Sequence, residues 1–348
     1  MHELILYIGQ LAAAINLPNF LAISIGLFLG ILIGVLPGMG PLLGCALLIP
    51  FTFYMDPVSA MAILIGMYQG GNYGGAITAA VIGIPGTPMA AVTLLEAYPM
   101  ALRGFASEAI TLACVASFFG SVVSGVLLIL LSQPLARIAL SFGPAETMAV
   151  VLLGLTAIAA VTTGSTVKGL LGGLAGLVFA AIGTDPLTGL GRFNFGRVEL
   201  EGGINLVPML MGLFGVSELV VQIEEPVRAF QADQRIGVAF SQFKTMVTNI
   251  FGYIRATLIG VIIGIIPVVG NPVAGFFAYK VAKDFSKHPE NFGKGEPEGV
   301  IACETADSAC CGGALIPMLA IGIPGDPVVA VMMGGLLIQG LTPGPMLF

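Results

Sequence analysis

Twice in this chain, six residues that cannot lie inside a helix interrupt sequence that suits little else. Gly83-Ile84-Pro85-Gly86-Thr87-Pro88 and Gly322-Ile323-Pro324-Gly325-Asp326-Pro327 each sit in an apolar run. Proline removes a backbone donor and glycine is entropically costly to order, so two of each in six residues end a helix. The surroundings are membrane sequence. Leu4 to Met55 and Ala109 to Ala136 hold no Asp, Glu, Lys or Arg, and about 20 apolar residues suffice to cross a bilayer. Inside lipid, each backbone group freed by a break costs several kcal/mol unless protein, water or a ligand pairs with it. Such a break, repeated at corresponding places, points to the central binding site of a transporter. The bland alternative is a pair of tight turns between helices.

Composition supports a helical protein with many spans. Only 9% of the residues are charged, against about 25% in an ordinary soluble domain, too few to build a soluble surface. The 49 glycines suit close helix–helix approach in lipid. No strongly basic stretch suggests nucleic acid. Cys45, Cys114, Cys303, Cys310 and Cys311 show no CxxC spacing, and His2 and His288 are the only histidines, which argues against a Cys/His metal site. The N-terminus lacks the basic and small-residue signals of a cleaved leader, so the first span is expected to be retained.

In order, Pro18-Asn19 marks a boundary and Phe20 to Leu36 reads as a span, with Gly26, Gly30, Gly34 and Gly38 forming a small-xxx-small ladder for packing. It breaks at Pro37-Gly38-Met39-Gly40-Pro41; the GxGxxG dinucleotide spacing is missed. Val58 to Ile82 follows, carrying Gln69-Gly70-Gly71-Asn72-Tyr73-Gly74-Gly75. After the Pro85 break, Ala90 leads to a loop holding Glu96, Arg103 and Glu108. Further spans read as 109–132, 145–163, 165–183 and 204–223, with a solvated loop at 183–203. Residues 224–249, with Arg228, Arg235 and Lys244, read as a cytoplasmic linker ending in a surface helix. It divides a first membrane repeat with its following spans, 1–223, from a second repeat, 250–348. Pro267-Val268-Val269-Gly270-Asn271-Pro272 cuts an uncharged stretch into halves of about 16 Å, which predicts a re-entrant hairpin.

The two halves rhyme. Pro37-x-x-Gly40 matches Pro267-x-x-Gly270, Gly74-Gly75-Ala76 matches Gly312-Gly313-Ala314, and the two Gly-Ile-Pro-Gly phrases match each other. The loop from Tyr54 to Val58 has no basic residue, whereas its counterpart from Lys280 to Lys294 has four, so the copies are expected to face opposite ways. Copy two stops soon after its second break, and its last helices are expected to be missing from this sequence.

The run Gly34-Val-Leu-Pro-Gly-Met-Gly-Pro41, the Gln69–Gly75 stretch, Tyr98-Pro-Met100 with Arg103-Gly104, Phe285-Ser-Lys-His-Pro-Glu290, Phe292-Gly-Lys-Gly295 and Gly340-Leu-Thr-Pro-Gly-Pro345 resemble the large subunit of the tripartite tricarboxylate transporters. The resemblance covers essentially the whole chain. It implies a multi-pass permease of the bacterial inner membrane that works with a small four-helix membrane subunit and a periplasmic solute-binding protein. A homodimer is compatible with it. The implied substrates are citrate or related di- and tricarboxylates, driven by Na+ or H+, with no other cofactor. Family members are longer. Val268-Val269, Asp307-Ser308 and Asp326 depart from the family pattern.

A carboxylate in a membrane needs positive potential without a buried cation, and helix N-termini supply it, each equivalent to about half a charge. Gly38, Gly40, Pro41, Asn72, Tyr73, Gly74, Gly86, Thr87, Asn271, Ser308 and Gly325 are the expected substrate-binding residues. Asn271, Asp307 and Asp326 are expected to serve ion coupling, with a Na+ site near the broken helices. Each has a plain structural reading as a turn or packing position. Two rivals compete. One is a channel; the other is an intramembrane aspartyl hydrolase built on Asp307 and Asp326, against which the GxGD spacing is absent.

Overall fold

The computed structural model describes residues 14–141, 166–185, 190–204, 249–267 and 270–347, with scattered positions between 143 and 239. Among them are ten α-helices: α1 (Leu17–Gly34), α2 (Pro41–Thr52), α3 (Pro57–Ile82), α4 (Ala90–Leu102), α5 (Ala106–Leu140), α6 (Thr166–Ala180), α7 (Ile250–Ile265), α8 (Asn271–Phe285), α9 (Pro297–Ile321) and α10 (Pro327–Ile338). The protein is an all-α membrane protein; α1, α5 and α9 are long and apolar enough to cross a bilayer. Its strands among the described residues, β1 (Gly183–Thr184) and β2 (Gly191–Arg192), pair antiparallel within the solvated loop, beside an Arg192–Asp185 ion pair of 2.7 Å. Most of the span expected at 145–163, most of that at 204–223, most of the 224–249 linker, and Val268-Val269 lie outside the described residues.

The glycine ladder decides how copy one folds. A Cβ on Gly26 would strike Ile63, one on Gly30 would meet the Gly71 nitrogen at 2.8 Å, and one on Gly34 would meet the Gly71 Cα at 3.0 Å. The returning glycines do the same: a Cβ on Gly66 would lie 2.8 Å from the Leu27 nitrogen, and one on Gly74 2.9 Å from that of Val35. Contact residues rise together along both helices, so α1 and α3 run parallel with their backbones nearly touching, the small-residue mode of membrane packing. α3 has 26 residues, about 39 Å at 1.5 Å each, and α1 ends beside its middle. α1 covers most of the span read from Phe20 to Leu36, and with the 12-residue α2 it forms a hairpin whose tip lies beside the middle of α3.

α3 begins on Asp56, whose carboxylate accepts from the Val58 and Ser59 N–H groups at 3.1 Å, and ends on Gly83 at φ 71°. The following loop doubles back until the Gly86 N–H reaches the Gly75 carbonyl at 3.3 Å, again at mid-depth. α4 then returns beside the end of α3, bringing the Tyr98 ring against Gly83. Glu96, expected in a loop, lies inside α4 and is 0% exposed.

Copy two repeats each step. Gly260 packs on Ala306 and Gly264 on Cys310, α9 ends on Gly322 at φ 76°, and the Gly325 N–H reaches the Ala314 carbonyl at 3.2 Å. The copies touch through equivalent residues: Gln69 Nε2 donates to the Ser308 carbonyl (3.2 Å) and Asn72 Nδ2 to Cys311 Sγ (3.0 Å), both across a separation of 239 residues. That separation also relates Gly86 to Gly325 and Gly75 to Ala314, so the repeat runs one residue out from the Gly74–Gly312 match read in the sequence. Contact between a residue and its own equivalent marks a two-fold axis, here between α3 and α9.

The axis inverts the copies. The α8–α9 loop docks beside the end of α4, where Arg103 Nη2 donates to the Gly295 carbonyl at 2.9 Å. Its counterpart, the α2–α3 loop, lies at the opposite end of α3, where Gln339, after α10, donates to the Thr52 carbonyl. α5, 35 residues long, then crosses from copy one to clasp copy two: a Cβ on Gly312 would press on Ser124. Its outer face carries Phe118, Val122 and Leu130, exposed among the described residues.

Candidate functional site

All four breaks meet around one cavity of about 330 Å³, a size typical of small-ligand sites. Gly38, Gly40 and Pro41 form one wall; Gly86 and Pro88 come from the first dipping loop. Gly270 and Asn271 face them from copy two, with Asp326 and Pro327 from the second dipping loop. The helix N-termini of α2, α4, α8 and α10 therefore lie at or beside one space. Those of α2, α4 and α8 have no side-chain cap, and Pro41 and Pro272 stand in the first turns of α2 and α8, where they have no N–H to lose. α10 differs: Asp326 caps it, Oδ1 accepting from the Val329 N–H at 2.8 Å. The positive ends of three helices thus face the cavity beside a single carboxylate, with orphan donors at α2 and α8; at α4 the Ala90, Ala91 and Val92 N–H groups already donate to the carbonyls of Thr87, Pro88 and Met89.

Gly38 needs glycine for its φ of 85° and donates to the Gly86 carbonyl at 3.3 Å, so the two breaks of copy one hold each other. Gly86 needs glycine for a different reason. Its φ is not positive; a Cβ would lie 2.5 Å from Thr78 Oγ1 and 2.7 Å from the Gly75 Cα, and would strike Gly34 as well.

Of the residues expected at the site, Gly38, Gly40, Pro41, Gly86, Asn271 and Asp326 line the cavity. Thr87 and Gly325 sit just behind it, Thr87 resting on Gly75. Asn72, Asp307 and Ser308 are buried at the α3–α9 crossing, and Asn271 Nδ2 reaches the Asp307 carbonyl at 3.3 Å. Tyr73 and Gly74 point elsewhere: the Tyr73 hydroxyl donates to the Ile110 carbonyl of α5 at 3.4 Å, and Gly74 packs on α1.

Sequence reasoning missed Tyr68. It is 1% exposed, and its hydroxyl donates to Asp326 Oδ2 and lies 3.1 Å from Asn271 Oδ1, joining the two polar residues of the cavity. Both Asp326 oxygens are thereby engaged, Oδ2 by Tyr68 and Oδ1 by the Val329 N–H. Two buried glutamates were also missed as anchors. Glu304 accepts from the Thr93 and Ser117 hydroxyls, the latter at 3.1 Å. Glu96 accepts from the Tyr279 hydroxyl (2.6 Å) and from the backbone N–H groups of Gly293, Gly295 (2.6 Å) and Glu296 (2.7 Å), locking α4 onto the α8–α9 loop. The signal for Tyr68 was its place beside Gln69: the correct register equates it with Asp307.

Inverted repeats, hairpins that stop at mid-depth and a cavity where their tips meet define the architecture of secondary transporters. The chain belongs to the tripartite tricarboxylate transporter TctA family, which its residues 20–348 match. It is similar to an Agrobacterium vitis protein described as "Uncharacterized 52.8 kDa protein in TAR-I ttuC' 3'region", with 38% identity over 335 residues. That alignment covers 94% of this chain, which spans 65% of the relative's length. A second protein of that organism, "Uncharacterized protein in TAR-II ttuC' 3'region", is 43% identical over 86 residues, 25% of this chain and 36% of its own. No solved structure matches.

Proposed function

We propose that this chain is the permease of a tripartite importer of di- or tricarboxylates, citrate among them, coupled to an ion gradient. It acts in the bacterial inner membrane with a small four-helix subunit and a periplasmic binding protein. The observation that carries the reading is the set of helix N-termini around one cavity, those of α2 and α8 with orphan N–H donors. Donors so arranged bind a carboxylate without the desolvation cost of a buried lysine or arginine, and none of the described basic side chains is buried. The glycines at the breaks let an anion approach the backbone. Alternating access follows if one inverted copy rocks against the other about the α3–α9 axis. Arg103, Arg255 and the lysines of α8 and its loop share one end of the molecule, which makes that end cytoplasmic.

The deciding experiment is uptake of radiolabelled citrate and dicarboxylates into proteoliposomes holding the chain with its small subunit, with and without binding protein. Saturable, gradient-driven uptake that needs the binding protein supports the reading. Unsaturable flux without it would indicate a channel, and no flux of any carboxylate would refute the assignment.

A further inference from the structure

The axis between α3 and α9 has two flanks, and their chemistry differs. On the first, Tyr68 of copy one donates to Asp326 of copy two. Exchanging the copies turns Tyr68 into Asp307 and Asp326 into Thr87. The equivalent positions on the second flank are Asp307 of α9 and Thr87 of the first dipping loop. A phenol meets a carboxylate on one flank; the equivalent pair on the other is a carboxylate and a hydroxyl.

The first flank is satisfied and the second is not. Asp307 Oδ1 and Thr87 Oγ1 are buried and have no hydrogen-bond partner. Thr87 is 2% exposed and Asp307 6%. Asn72 Oδ1, one turn from the Gly75 on which Thr87 rests, is likewise buried and unpartnered, as is Gln69 Oε1. Buried polar atoms rarely stay orphaned, and four oxygens from three elements at one crossing call for a shared partner. Oxygen-only donors of this kind suit a hard cation. One carboxylate among the four donors, with no buried basic side chain among the described residues, suits a charge of +1, since a divalent ion would leave an uncompensated charge in a low dielectric.

We propose that Asp307, Thr87, Asn72 and Gln69 form a site for one monovalent cation, separate from the carboxylate cavity and behind its wall. Thr87 and Asn72 then serve the cation and not the substrate. Through Thr87, the ion holds the dipping loop that carries Gly86 into the cavity, which links cation binding to the shape of the carboxylate site. The inference deepens the ion-coupled reading above, yet its test needs neither carboxylate nor flux.

The test uses the purified chain in detergent, with radioactive Na+ binding and thermal unfolding measured as NaCl replaces choline chloride at constant ionic strength. Wild type should bind about one Na+ per chain, since a single carboxylate sets the charge, and unfold at a higher temperature in Na+ than in choline. Asp307→Asn and Thr87→Val should weaken Na+ by about tenfold or more, the scale of losing a metal-site partner. Asp326→Asn, on the satisfied flank, should bind Na+ with affinity close to wild type. Should Asp307→Asn fail to fold, Thr87→Val and the wild-type titration still decide. The proposal is overturned if wild type binds no Na+ above the choline background, if Thr87→Val or a folded Asp307→Asn binds as wild type, or if only Asp326→Asn loses binding. Failed carboxylate uptake with intact Na+ binding would count against the substrate reading alone.

Discussion

Replacing Tyr68 with phenylalanine removes one oxygen from the interior and keeps the ring, which is 1% exposed and packed within the core of α2, α3, α9 and α10. The lost hydroxyl donates to Asp326 and approaches Asn271, so the change frees one carboxylate oxygen in the cavity wall. A hydrogen bond to a charged group contributes about 1.5–3 kcal/mol net. At about 1.4 kcal/mol per decade, that equals about 10- to 140-fold in any equilibrium that breaks the contact. Two steps qualify: movement of copy one against copy two, which the contact bridges, and binding of an anion beside the freed carboxylate. Half-saturation for carboxylate uptake in proteoliposomes should therefore rise by about 10- to 140-fold per folded molecule, with monodisperse yield unchanged. Because both residues act through one contact, adding Asp326→Asn to Tyr68→Phe should cost less than the sum of the single effects. Wild-type half-saturation in Tyr68→Phe, or full additivity in the pair, would refute the reasoning.

Inversion predicts that cysteines placed at Tyr54 and Lys287, in a Cys114→Ser background because Cys114 is the one exposed native thiol among those described, react with impermeant reagent from opposite faces, Lys287 from the cytoplasm; labelling from one face sinks the inverted arrangement. Glu96→Ala leaves three backbone donors of the α8–α9 loop unmatched, at about 1–3 kcal/mol for each that stays buried, so trypsin should cut at Lys287 and Lys294 faster than in wild type. Unchanged cleavage would mean that Glu96 does not hold that loop.

Local rules made much of this protein legible in its sequence. Pro and Gly at the four breaks act on their own backbone, so the ends of α1, α3, α7 and α9 are visible without a fold. Charge-free runs declare the membrane, because a bilayer excludes charge wherever the helices go. The opposite facing of the copies was legible too, through lysines at the end of α8 and in the loop after it that are absent after α2. What required the tertiary structure depends on contacts between distant residues. The length of α1 fits a crossing helix; its stop at mid-depth follows from which residues of α3 its glycines touch. Gly86 reads as a conformational glycine, yet close backbone approach is what demands it. Glu96 reads as a loop charge until the backbone of a segment nearly two hundred residues away closes on it. Tyr68 and Asp326 stand 258 residues apart, and only the fold about the α3–α9 axis makes them one contact. A sequence states what each residue does to its neighbours in the chain, but the polar partners at this site are neighbours only across the axis.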